Sequence, residues 1–438
     1  MFIKSLVLVG VVAPVICAVV LGVMLWRPRQ QLREELFTRI VFASFALSII
    51  CYLIALIALP FATVHMGSQV TWFDLPHYHY SLAIAPDAMS LIVAIFSAIL
   101  VSMIGAFSRR YLHRDPGYFR FYLFLSLFGA GVEIIILSSS LDFLFIGWEI
   151  VGFTSAMLIA FFYERPKPVE HGLRAFLTYR ICDVGLLSAL VILHHSEHGT
   201  LFVNNQTTTW LALSNTDASS LVIVAGFLLV WAAMGKSAQV PLSGWLPRAM
   251  EGPTPSSAIF YGAISIHLGA FLLLRLAPLI ASDWRMQISV LLIGLLTALH
   301  GSLSGRVQSD IKSVLAYASI TQVGVIWMEI ALGFYTLAVI HMIGHAALRS
   351  LQILRSPSLL HDHQYLESAM GATIPRAARH IENCLPYSLR PWVYRHGLER
   401  GVLDAVLRFW FLAPVLAWAR WFDRMDQRWA RWLNRETN

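Results

Sequence analysis

Apolar residues run along this chain in long blocks separated by short polar stretches. The blocks fall near 3–26, 38–62, 84–107, 119–139, 141–163, 172–195, 217–240, 254–275, 286–305, 311–332 and 334–354. About 20 apolar residues in an α-helix span the hydrocarbon core of a bilayer, because each residue rises about 1.5 Å. The pattern therefore predicts an all-α polytopic membrane protein with about eleven transmembrane helices. The first block, MFIKSLVLVGVVAPVICAVVLGVMLW, is too long for a cleaved signal and lacks a small-residue cleavage site, so it reads as the first membrane helix.

The loops alternate in charge. Arg27, Arg29, Arg33 and Arg39 flank the first, Arg109, Arg110 and Arg114 the third, and Arg165 and Lys167 the fifth, with Arg248 and Arg306 on the same side. Loops 63–83 and 196–216 hold no Lys or Arg. Arg275 and Arg285, at the edges of loop eight, are the exception. Positive residues mark the cytoplasmic side, so the N-terminus is expected outside and the tail after 354 inside. In that tail, segment 401–421 is apolar but holds Asp404, Arg408 and Arg420. Trp410, Trp418, Trp421, Trp429 and Trp432 interleave with Arg424, Arg428 and Arg431. Trp and Arg together suit the membrane interface, so the tail is expected to carry an amphipathic helix on the cytoplasmic surface rather than a twelfth crossing.

Composition agrees. The chain has 438 residues, 57% hydrophobic and 13% charged, against about a quarter charged in a soluble domain. Mean hydropathy is +0.66. The net charge of +7 is concentrated in the Arg-rich tail, and with no other basic patch it does not point to nucleic acid. Cys17, Cys51, Cys182 and Cys384 form no CxxC pair, which argues against a disulfide framework or structural zinc site. No nucleotide-binding loop is present either.

A charge at the bilayer centre costs about 2.5–3.5 kcal/mol on insertion scales, so ionisable residues there mark function. Glu149 lies in the fifth apolar block. Arg180 and Asp183, three apart in the sixth, share a helix face, as relay members or as a self-neutralising pair. Lys236 closes the seventh block, and Lys312 opens the tenth; the chain's other lysines are Lys4 and Lys167. A desolvated Lys can titrate where Arg cannot, which makes Lys236 and Glu149 a candidate charge pair. His341, His345 and Arg349, spaced i, i+4 and i+8, stack on one face as a proton relay, as packed core histidines, or as half a zinc site lacking an evident third ligand. His267 and His300 lie alone in other blocks. Pro241, Pro247, Pro253 and Pro255, just after Lys236, predict a helix broken near 236–247 beside an ion path, or a proline-rich loop.

The segments DPGYFRFYLFLSLF, FIGWEIVGFTSAMLIAFFY, AFLTYRICDVGLL, GKSAQVPLSGWLPRAMEGPTPSSA, QSDIKSVLAYASITQVG and HMIGHAALRSLQIL follow one another over roughly 85–354. In that order they resemble the antiporter-like membrane subunits of respiratory complex I and the Mrp sodium/proton antiporters, in the NuoL-type branch. The resemblance implies inverted repeats: N-terminal helices at 1–107, a first repeat at 108–275, a truncated second repeat at 276–354, and the tail at 355–438. It makes Glu149 the family's key glutamate and Lys236 the broken-helix lysine that the glutamate modulates. Arg180 and Asp183 match the paired residues on the next helix. Lys312 matches the lysine linking two half-channels, and His341 and His345 the histidines after it. Tyr261 stands where the family commonly has His, with His267 six residues later. Arg349 stands where it has Lys, and Arg does not readily release a proton.

After residue 371 the chain passes almost directly to HGLERGVLDAVLRFWFLAPVLAWARWFDRMDQ, where the family continues with a second broken helix. This shortened form resembles the membrane subunit of the DAB inorganic-carbon pumps, DabB. That resemblance implies a bacterial inner-membrane subunit that conducts H⁺ or Na⁺, has no cofactor and is not itself an enzyme. Its expected partner is a large DabA-like subunit whose zinc site hydrates CO2 to bicarbonate in one direction. One charge crossing 100 mV supplies about 2.3 kcal/mol, enough to bias such a reaction strongly. The alternatives are a subunit of a complex I, hydrogenase or Mrp-type assembly, and a non-conducting membrane anchor.

Overall fold

The computed structural model describes residues 2–28, 32–61, 69–75, 78–84, 86–196, 199–202, 219–356, 365–371, 386–399, 405 and 408–435. Asp404 and Cys384 lie outside the described residues. Helices dominate because lipid offers no partners for backbone N–H and C=O groups, which must then bond within the segment.

The chain opens with α1 (Phe2–Met24) and α2 (Glu34–Ala58). The second loop then departs from expectation, since strands β1 (Gln69–Leu75) and β2 (Tyr78–Ala83) pair in an antiparallel hairpin running from Gln69↔Ala83 to Leu75↔Tyr78. The third apolar block consequently starts its helix at α3 (Ala88–Tyr111), where the Asp87 side chain accepts the Ser90 N–H at 3.1 Å as an N-cap. There follow α4 (Tyr118–Leu137), α5 (Leu141–Ile159), α6 (Pro166–His195) and α7 (Ser219–Lys236). A bridge between Ile84 and Ser138 ties the end of the hairpin to the α4–α5 turn.

The predicted break follows α7. Its last residue is Lys236, Ala238 adopts a φ of 51°, and the chain then makes a short turn of helix at Trp245–Arg248 and a 3-10 turn at Ala249–Glu251. Pro253 caps the next helix and Pro255 occupies its first turn, where a missing N–H costs nothing. That helix, α8 (Thr254–Arg275), has all its described side chains buried. It is itself interrupted by a π turn at Ala258–Ala263 and a 3-10 turn at Ser265–His267. Then come α9 (Trp284–Gly305), α10 (Ile311–Ala331) and α11 (Tyr335–Leu354).

Among the described residues, ten helices are long and apolar enough to cross a membrane, α7 being the shorter eleventh apolar helix. Leu8, Ile16, Val19, Ile57, Val184, Leu296 and Ile340 are large apolar residues left exposed on their outer faces, an arrangement that lipid, not water, accommodates.

In the tail, α12 (Arg390–Leu398) packs against the end of α9, with Gly397 lying against the Leu303 carbonyl and the His396 ring 6.0 Å from that of His300. A π turn at Arg408–Leu412 leads into α13 (Ala413–Arg435). Residues 401–404, 406 and 407 of segment 401–421 lie outside the described residues, and α13 takes in the segment's last nine residues and continues beyond it. It is polar on average and sharply two-faced, with Trp418, Phe422, Met425 and Trp429 at i, i+4, i+7 and i+11, all exposed.

Candidate functional site

Four of the expected residues meet where α5, α6 and the end of α7 cross. Glu149 of α5 forms an ion pair with Arg180 of α6. Arg180 Nη2 also reaches Asp183 Oδ2 at 2.9 Å, one helical turn along. The Trp148 indole N–H donates to Asp183 Oδ1 at 2.6 Å. Arg180 therefore bridges two carboxylates and does not merely neutralise Asp183.

Lys236 enters from the other side. It is 1% exposed. Its ammonium donates to the Trp148 carbonyl at 2.9 Å and lies over the Tyr179 and Trp148 rings, 4.5 and 5.2 Å from their centroids. Among the described residues it forms no ion pair with a carboxylate. The expected Glu149–Lys236 pair is corrected accordingly: the guanidinium occupies Glu149, and the ammonium is held by a carbonyl and two π faces. Gly152 makes this possible, since a Cβ there would lie 2.8 Å from Lys236 Nζ and 3.3 Å from Arg180 Nη2. Gly235 allows the end of α7 to approach α6, for its Cβ would fall 2.4 Å from Cys182 Sγ.

The helix break places the ammonium. Lys236 ends α7, where unpaired carbonyls give the helix terminus negative character that favours a cation. Freed carbonyls find partners: Trp245 Nε1 donates to Gly235 O at 3.1 Å, and Gln239 N to Met234 O at 2.9 Å. The Ser237 hydroxyl donates to Ile266 O at 2.7 Å, so the residue after Lys236 touches the backbone just before His267.

His267 starts a second cluster. The π turn in α8, closed by Ile264 N to Ile259 O at 3.0 Å, rotates the following residues and turns the His267 ring toward α11. His267 Nε2 and His345 Nδ1 are 2.9 Å apart and share one proton as donor and acceptor. His341 faces α10 instead, its Nδ1 2.9 Å from Glu329 Oε1 and its Nε2 3.1 Å from Gln322 Oε1. Arg349 Nη1 donates to Gln352 Oε1 at 2.7 Å on its own helix. The face shared by His341, His345 and Arg349 is real, but its members point to different partners. Lys312 lies in the first turn of α10, half-buried, with no hydrogen bond or ion pair to the other candidates. Trp148, Tyr179, Gly152, Gln322 and Glu329 were not anticipated. Glu329 was findable, as an ionisable residue inside an apolar block; the aromatic pair and the glycine carry no such signal.

A family profile described as NADH:quinone oxidoreductase/Mrp antiporter, TM, matches residues 138–372, which hold every candidate named above. The chain belongs to this antiporter-like family. A second profile, described as NADH-Ubiquinone oxidoreductase (complex I), chain 5 N-terminus, matches residues 72–122. The chain is 32% identical over 333 residues to NADH-quinone oxidoreductase subunit L of Neisseria meningitidis, covering 74% of this chain and 48% of that one. It is 36% identical over 280 residues to the chloroplastic NAD(P)H-quinone oxidoreductase subunit 5 of Lemna minor, covering 64% and 38%. Its fold superimposes on a chain of the Mrp complex from a Dietzia species with a TM-score of 0.67 at 25% identity, covering 81% of this chain and 37% of that one. The chain thus spans less than half the length of these antiporter-family relatives.

Proposed function

We propose that this chain is a proton-conducting membrane subunit that couples the proton motive force to a partner protein. The observation that carries the reading is the Lys236 ammonium, buried at a helix break and held by a carbonyl and two rings beside the Glu149–Arg180–Asp183 network. A cation so placed sits beside charges whose rearrangement changes its proton affinity. The two-histidine pair beyond the break provides the next carrier. The ion is H⁺ in this reading, with Na⁺ as the alternative.

The partner we favour is a large zinc-containing DabA-like subunit in a bacterial plasma membrane, with this chain driving one-way CO2 hydration and itself non-catalytic. Membership of a complex I-like, hydrogenase or Mrp-type assembly fits the same path equally well, since the relatives include an NADH-quinone oxidoreductase subunit and a chain of an Mrp complex. In either assembly α13 lies on the lipid surface with its tryptophans inserted. Copurification of the chain and identification of its partner separates the two: a zinc protein supports the first, quinone or hydrogenase subunits the second. Lys236→Ala and Glu149→Gln are expected to abolish the coupled activity of the assembled complex. Full activity in both, with assembly intact, leaves the chain as a membrane anchor and refutes conduction by this route.

A further inference from the structure

Glu133 of α4 lies outside the network described so far. It is 0% exposed. The Ser97 hydroxyl of α3 donates to its Oε1 at 2.9 Å. Its Oε2 and the Tyr52 hydroxyl of α2, which lies beside the same carboxyl, make no hydrogen bond of ordinary geometry. Tyr52 is set there by α1: a Cβ on Gly10 would fall 2.3 Å from its ring. A buried carboxyl left half-satisfied is costly and is retained where it works.

Ser97 has a second side. With Ile136, three residues from Glu133 on α4, it lines a cavity of about 20 Å³ whose walls, apart from His267, are otherwise apolar, Val93, Phe271 and Met342 among them. The volume has room for one water molecule. Its polar side chains are Ser97, bonded to Glu133, and His267, bonded to His345. The cavity therefore stands between the histidine pair and the carboxyl. Glu133 is four residues from Leu137, so about 6 Å from the end of α4 that meets the β1–β2 hairpin.

We propose that Glu133 is a proton-binding site that exchanges with the His267–His345 pair through this cavity, giving the chain an outlet toward the hairpin face that bypasses Arg349. The transfer balances. A proton leaves a ring N–H of the protonated histidine pair, passes through water and the Ser97 hydroxyl, each oxygen taking one proton and giving one up, and ends on the Glu133 carboxylate. Imidazolium and carboxylate become a neutral pair, and release on the hairpin side restores the carboxylate.

This inference rests on the proposed conduction. Its test uses the full chain with its copurified partner in sealed proteoliposomes carrying a pH-sensitive dye. Glu133→Gln preserves the shape and the acceptor for Ser97 but cannot bind the transferred proton. It is expected to slow proton flux by about a hundredfold, the scale of losing one positioned proton carrier, with Glu133→Asp recovering part of the rate. Infrared difference spectra across a pH jump are expected to show a buried carboxyl band that disappears in Glu133→Gln. Wild-type flux in Glu133→Gln beside a dead Lys236→Ala overturns this inference and leaves the proposed function standing. Flux indifferent to both substitutions overturns both. Should Glu133→Gln fail to assemble, Ser97→Ala decides: slowed flux supports the link through the hydroxyl, and unchanged flux refutes it.

Discussion

Gly152 offers a way to move the central ammonium without changing any charge. In Gly152→Ala the new Cβ would lie 2.8 Å from Lys236 Nζ, whereas ordinary contact begins near 3.4 Å. The ammonium must therefore retreat by about 0.6 Å, which stretches its 2.9 Å bond to the Trp148 carbonyl to about 3.5 Å, the edge of hydrogen-bond geometry. A hydrogen bond from a charged donor contributes about 1.5–3 kcal/mol. Against that loss, Ala in the middle of α5 gains about 0.5–1 kcal/mol over Gly. The atom that yields is the tip of a flexible side chain, so the backbone need not shift and the net stability cost is about 0.5–2.5 kcal/mol. The function responds more sharply, because the displaced ammonium changes its distance to both the carboxylate network and the histidine side. A change of about 1.4 kcal/mol in the relative stability of its protonated form is tenfold in population. We expect Gly152→Ala to assemble normally, to unfold in detergent within a few degrees of wild type, and to lose about tenfold in proton flux in proteoliposomes. Normal flux with the substitution confirmed would refute the claim that the position of Lys236 controls conduction.

Two further outcomes follow from the structure. Burial raises the pKa of Asp87, but the charge and hydrogen bonds of Arg275, at 2.8 and 2.9 Å, and the Ser90 N–H outweigh it and hold the carboxyl below its ordinary value. The stabilisation is therefore complete above about pH 4 and lost as pH falls through the lower folded value; Arg275→Ala should cost about 3 kcal/mol near neutral pH, with the deficit shrinking as pH falls and Asp87 takes up a proton, measured by thermal unfolding across pH. Replacing Trp418 and Trp429 by Ala should leave the α1–α11 body folded but weaken binding of a peptide spanning 413–435 to anionic vesicles by at least about tenfold, measured by tryptophan fluorescence of the remaining indoles; unchanged binding would exclude the apolar face as the lipid contact.

The helices were legible because lipid imposes a single solution on apolar blocks of that length. The break after Lys236 was legible for a related reason: prolines cluster where the helix must stop. The β1–β2 hairpin was not, since a loop free of Lys and Arg signals a side of the membrane and says nothing of strand pairing. At the site, residue types were readable but partnerships were not. Glu149, Arg180, Asp183 and Lys236 were each visible as charges in apolar blocks. That Arg180 takes Glu149 while Lys236 takes a carbonyl depends on how α5, α6 and α7 cross, which Gly152 and Gly235 permit. The His267–His345 pair was hidden for another reason. His267 faces α11 through the π turn at Ala258–Ala263, and a helix register that slips by one residue leaves no mark in hydrophobic spacing. Glu133, by contrast, was available to the rule applied to Glu149 and was passed over.

The two clusters are mechanically joined at the break. Ser237 follows Lys236 directly, and its hydroxyl holds Ile266 O at 2.7 Å, one residue before His267. Gly269 keeps the contact close, since a Cβ there would meet Ser237 Oγ at 2.3 Å and Ala233 O at 2.4 Å. The ends that meet are both irregular: α7 has just terminated, and α8 is in its 3-10 turn. Irregular backbone has fewer internal bonds to break when it shifts, so this junction is where a displacement of Lys236 costs least and reaches furthest. On the proposed conduction route, a change in the Glu149–Arg180–Asp183 network that draws the ammonium toward it would pull on Ser237, and through Ile266 on the ring that shares its proton with His345. The proposed route thus places the Ser237–Ile266 hydrogen bond between charge in one cluster and proton position in the other. Ser237→Ala should uncouple them while leaving both clusters intact.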